Sequence, residues 1–65
     1  MELNLKLKEL REENGYTQEF VANYLHIKQN TYSQYETNKR QISLENLVAL
    51  KNLYGTTIDY ILGLE

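Results

Sequence analysis

Gln29, Asn30, Ser33 and Gln34 crowd into one short stretch, IKQNTYSQYETNKRQIS, with Lys39 and Arg40 just behind them. A side-chain amide carries a donor and an acceptor in one plane, so it can donate to N7 of adenine while accepting from N6. A serine hydroxyl can play either part. Amides are costly to bury because every polar atom must find a partner. The plain reading of this cluster is a solvated helix face. The sharper one is a set of groups that read the edges of bases, with two cations placed to meet phosphate.

The charge distribution favours the sharper reading. The 65-residue chain has a formal net charge of −2 and a pI near 5.3, which argues against a general polyanion binder. Residues 1–27 carry Lys6, Lys8 and Arg11 against Glu2, Glu9, Glu12, Glu13 and Glu19, and residues 44–65 carry Lys51 against Glu45, Asp59 and Glu65. Both segments are therefore acidic. Residues 28–43 set Lys28, Lys39 and Arg40 against Glu36 alone. A positive patch on an acidic body suits a polyanion approached from one side.

The periodicity shows what must position these residues. Leu3, Leu7 and Leu10 recur at the spacing of an amphipathic helix, with Leu5 off the stripe and Asn14-Gly15 as its end. Thr17 predicts the cap of a second helix that turns Val21, Ala22 and Leu25 inward and stops at His26, a residue type tolerant of positive φ. A third helix is expected over residues 29–37, with Tyr32 and Tyr35 inward and Asn38 as a left-handed terminator. Ser43 predicts the cap of a fourth helix carrying Leu44, Leu47, Leu50 and Tyr54 and ended by Gly55. Thr57 predicts a short fifth helix with Ile58, Ile61 and Leu62. About three residues separate helices two and three, so those helices should meet at a steep angle with Ile27 as a plug between them. One all-α domain of five helices follows, small enough that about 40% of its extended-chain surface stays in water.

Other chemistries find little purchase. His26 has no cysteine or second histidine with which to share a metal, and a capping role accounts for it. The six tyrosines could stack on single-stranded bases, but Tyr32, Tyr35 and Tyr54 fall on inward positions. Asp59 and the glutamates lack a nucleophile or a paired carboxylate, and there is no Gly-rich phosphate loop. No enzyme activity, cofactor, metal or small-molecule ligand is expected. No run approaches the roughly 20 apolar residues of a membrane span, and no apolar run follows a basic start as in a signal peptide, so cytoplasmic residence is expected.

The segments LKELREENGYTQ, VANYLHI, TYSQYETNKRQISLENL and LYGTTIDYILG together resemble the Cro and phage-repressor type of helix-turn-helix regulator, the XRE family with its lambda-repressor-like DNA-binding fold. The resemblance covers nearly the whole chain. It implies that helices two and three form the helix-turn-helix, that the third enters the major groove, and that the second crosses the backbone. It implies base reading by Gln29, Asn30, Ser33 and Gln34, and phosphate contacts from Gln18, Lys28, Thr31, Asn38, Lys39 and Arg40. It further implies a salt bridge from Arg11 to Glu36. The chain departs from the family pattern in Thr37-Asn38, in Ile42 where a proline is common, in Lys51, and in the apolar Phe20 and Tyr24.

The function expected is a sequence-specific, double-stranded DNA-binding transcriptional regulator, a repressor that binds a palindromic operator as a homodimer. Ile61, Leu62 and Leu64 are the candidate dimer contacts. The competing reading is a protein-interaction or antitoxin-like module on the same scaffold, for which Phe20 and Tyr24 are the hint.

Overall fold

The computed structural model describes residues 5–64, and Leu3 of the expected first stripe lies outside them. Among the described residues there are five helices and no strand: α1 Leu7–Glu13, α2 Gln18–Tyr24, α3 Gln29–Glu36, α4 Leu44–Tyr54 and α5 Ile58–Ile61. None is long and apolar enough to cross a membrane.

The starts and stops are chemical. Thr17, Ser43 and Thr57 accept hydrogen bonds on their hydroxyls from the backbone N–H groups of Phe20, Asn46 and Tyr60, at 3.0, 3.1 and 3.1 Å. Each satisfies one donor that a helix start leaves orphaned, worth about 1 kcal/mol. Every stop uses one device. A residue at positive φ (Gly15, His26, Asn38, Gly55 or Gly63) turns the chain. The next N–H then reaches back five positions, from Tyr16 to Arg11, Ile27 to Ala22, Lys39 to Gln34, Thr56 to Lys51 and Leu64 to Asp59, over 2.9–3.2 Å. This is the Schellman arrangement, which satisfies carbonyls that a helix end would otherwise waste. His26 and Asn38, the two non-glycine cases, sit at φ 58° as their residue types allowed.

The core joins Leu7 and Leu10 of α1, Val21 and Ala22 of α2 with Leu25 beyond it, Tyr32 and Tyr35 of α3, Leu47 and Leu50 of α4, and Ile61 of α5. Ile27 packs half-buried against it, as the plug expected between α2 and α3. Leu5, off the helical stripe, also packs against this core from the segment before α1. A backbone bond from Lys6 N–H to the Ile61 carbonyl, 2.9 Å, ties the start of the described chain to α5.

One expectation needs correction and one placement was not foreseen. Leu44 opens α4 but is 69% exposed, because burying Leu47 and Leu50 turns this first-turn position to solvent. Ile42, marked in the sequence only as a departure from a proline, is a core residue. It enters the core from the loop before α4, outside any helical period.

Candidate nucleic-acid interface

The turn between α2 and α3 is short and held by backbone hydrogen bonds. Leu25 is helical in φ and ψ and His26 is left-handed, while Lys28 is extended and opens α3. His26 N–H donates to the Asn23 carbonyl at 3.1 Å and Ile27 N–H to that of Ala22 at 3.0 Å. The angle between the helices is thus set by backbone geometry, and the burial of Tyr32 and Tyr35 decides which side of α3 remains outward.

On that outward side Gln29 and Asn30 are exposed, and Ser33 and Gln34, one turn on, are half-buried. Helical spacing pairs Gln29 with Ser33 and Asn30 with Gln34 along one face. Lys28 stands exposed before the helix, and Asn38, Lys39 and Arg40 stand exposed after it. Thr31 is half-buried. Acceptors and donors that can read bases are therefore flanked at both ends of α3 by cations.

A polar hub lies at the C-terminal end of α3. Arg11 Nε donates to Glu36 Oε2 at 2.7 Å and Nη2 to Oε1 at 3.2 Å, a two-pronged pair with side chains only 13% and 4% exposed. Arg11 Nη1 also donates to the Tyr16 carbonyl at 3.1 Å. Gln18 Nε2 donates to Glu36 Oε1 at 3.1 Å. One carboxylate thus fastens α1, the start of α2 and the end of α3 together. Burial alone would raise the Glu36 carboxyl, but the hydrogen bonds from Arg11 and Gln18 outweigh it and hold the group below its ordinary value. The bond to Glu36 in turn raises the Arg11 guanidinium. Burial pushes the neighbouring Tyr32 phenol well above its ordinary value and that of Tyr54 up to about 12.

The structure links two pairs of expected site residues in ways their types did not reveal. Gln18, expected at phosphate, already spends one amide hydrogen on Glu36 and keeps the other. Arg40 Nε donates to Gln34 Oε1 at 3.0 Å, so a residue expected at phosphate touches an amide expected at the bases. Neither link has a signature in the spacing, since each depends on how separate elements cross. Ile61 is removed from the candidate dimer contacts: its side chain is fully buried within the chain's own core. Leu62 is half-buried and Leu64 is 57% exposed.

A second surface lies on α2. Phe20 is 46% and Tyr24 41% exposed. Tyr16, which no helical period singles out, packs tilted against Phe20 with ring centroids 4.5 Å apart and stacks with Tyr54 at 6.1 Å. Among the described residues no group of three or more histidines, cysteines or carboxylates could hold a metal ion.

Residues 7–61 match the Helix-turn-helix family model. The chain is 43% identical over 63 residues to the HTH-type transcriptional regulator ImmR of Bacillus subtilis (strain 168), covering 97% of this chain and 50% of that protein. It is 40% identical over 60 residues to AnsR of the same organism, also an HTH-type transcriptional regulator, covering 92% and 52%. Against the HTH-type transcriptional activator BcrR of Enterococcus faecalis it is 34% identical over 63 residues, covering 97% and 31%. The chain spans about half the length of the first two of these relatives.

Proposed function

This chain belongs to the XRE-type helix-turn-helix family, and on that premise we propose that it is a sequence-specific regulator of transcription that binds double-stranded DNA. The observation that carries the reading is the outward face of α3, with Gln29, Asn30, Ser33 and Gln34 aligned between Lys28 at one end and Lys39 and Arg40 at the other. The eight residues of α3, at about 1.5 Å rise each, give a helix about 12 Å long, comparable with the width of the major groove. Laid in the groove, its amides meet base edges. Lys28 and Lys39 lie beyond its ends, where the phosphate strands pass.

The division of labour follows from chemistry. Asn30 can pair bidentately with adenine, and each good pair of this kind discriminates by about 1–3 kcal/mol. Lys39 contributes charge without reading sequence. The protein acts as a repressor, and two copies bind a palindromic operator with their recognition helices about 34–36 Å apart, one DNA turn. Leu62 and Leu64 supply the dimer contact. The exposed Phe20 and Tyr24 favour a second reading, a partner protein held on α2.

Selection of bound sequences from a random duplex pool tests the proposal. A recovered motif with two-fold symmetry is the expected result. Recovery of no motif at physiological salt refutes the base-reading assignment and puts the protein-partner reading ahead.

A further inference from the structure

Arg40 reaches Gln34 because the backbone delivers it there. After α3, Asn38 takes φ 58°, its N–H donates to the Tyr35 carbonyl at 3.2 Å, and the Lys39 N–H donates to the Gln34 carbonyl at 2.9 Å. Thr37 Oγ1 adds a bond to the Ser33 carbonyl at 3.2 Å. The chain is thereby folded back over the last turn of the helix, and the next side chain, that of Arg40, lies along it. Its Nε–H donates to Gln34 Oε1 at 3.0 Å. The geometry satisfies the hydrogen-bond criteria for a neutral amide with a charged donor.

This contact changes what Gln34 can recognise. A free glutamine amide matches adenine because it can accept from N6–H while donating to N7. Here one of the two lone pairs of that acceptor is taken by a guanidinium, whose positive charge opposes the approach of a further donor such as adenine N6–H. This bond leaves the two Nε2 hydrogens of Gln34 and the Nη donors of Arg40 for a ligand. A surface of donors matches guanine, whose N7 and O6 both accept, and mismatches adenine, whose N6 would present a second donor. We propose that Arg40 is a positioning residue that converts Gln34 from an adenine reader into a guanine reader, and so sets the specificity of one base pair in each half-site. The inference rests on the reading of α3 as the base-reading helix.

The test begins with the sequence selected by the full chain. Gln34→Ala locates the base pair at which preference is lost, and duplexes carrying each of the four base pairs there are then titrated with the unaltered protein and with Arg40→Met. Methionine keeps the length of the side chain and removes its donors and charge. The unaltered protein is expected to prefer guanine to adenine by about tenfold at that position. Arg40→Met is expected to lose this ratio or reverse it, on top of a loss of affinity shared by all four duplexes. A preference for adenine in the unaltered protein overturns the inference. So does an Arg40→Met variant that binds every duplex more weakly and keeps the ratio, since Arg40 would then act on phosphate alone. If Gln34→Ala removes preference at no position, the premise that α3 reads bases through Gln34 falls, and the inference falls with it.

Discussion

Replacing Glu36 by alanine should come close to unfolding the protein. The carboxylate accepts two bonds from Arg11 and one from Gln18, and its side chain is 4% exposed. Its removal leaves the Arg11 guanidinium, 13% exposed, with the Tyr16 carbonyl as its recorded acceptor. Stranding one member of a buried pair costs about 3–5 kcal/mol. A chain of this size has a total stability of about 3–10 kcal/mol, so the loss is of the same order as the whole. At about 4–8 °C per kcal/mol, a 3 kcal/mol loss lowers the melting temperature by roughly 12–24 °C. Thermal melts followed by far-ultraviolet circular dichroism read this directly. Arg11→Met combined with Glu36→Leu removes both charges and fills their space, and it should be more stable than Glu36→Ala alone, since no charge is left stranded. A Glu36→Ala melt displaced by less than about 3 °C would refute the argument. So would a double variant less stable than the single one.

The depressed Glu36 carboxyl contributes stability in full above its ordinary value of 4.5, lost as pH falls through the lower folded value; acid titration by chemical denaturation should show this loss, and Glu36→Gln should abolish that component. Tyr54, raised to about 12, contributes stability below pH 10 that is lost as pH rises through about 12, and the alkaline limb should flatten in Tyr54→Phe. His26 is exposed in a left-handed turn, so His26→Gly should raise stability by about 0.5–1 kcal/mol and His26→Val should lower it, with urea midpoints as the measure. Lys39→Ala should weaken operator and scrambled duplex alike and lower the slope of log affinity against log salt by about one per subunit; an unchanged slope removes Lys39 from the backbone contacts. Leu64→Glu should shift sedimentation toward monomer, and a protein already monomeric on and off DNA removes the dimer.

The stops and caps of this fold were legible because they are local. Thr17, Ser43 and Thr57 act through their own hydroxyls on N–H groups three residues away, and Gly15, His26, Asn38 and Gly55 declare their backbone preference by residue type. The inward faces of α2 and α3 were equally readable from helical spacing. Ile42 and Tyr16 were not, because they pack from loops, where no period points inward. Leu44 misled for the opposite reason: it follows a good cap and is apolar, yet Leu47 and Leu50 fix the phase of α4 and leave it outside. The bond between Arg11 and Glu36 was reached through family resemblance, helped by the oddity of Glu36 as a lone acid in the basic segment. The contacts of Gln18 with Glu36 and of Arg40 with Gln34 join elements whose relative placement no sequence spacing encodes.

The bond from Lys6 to Ile61 spans almost the entire described chain, and this has a kinetic consequence. Each helix stop is a closure over a few residues, available within well under a microsecond once its helix exists. Among the backbone hydrogen bonds of the described residues, the link between Lys6 and Ile61 needs the largest closure, and the entropic cost of closure grows with the logarithm of the loop. It should therefore be absent from the folding transition state and form on the downhill side. Weakening Leu5 or Ile61 would then leave the refolding rate almost untouched and accelerate unfolding. The lifetime of the folded protein would be governed at the seam between its first and last described segments, far along the chain from α3.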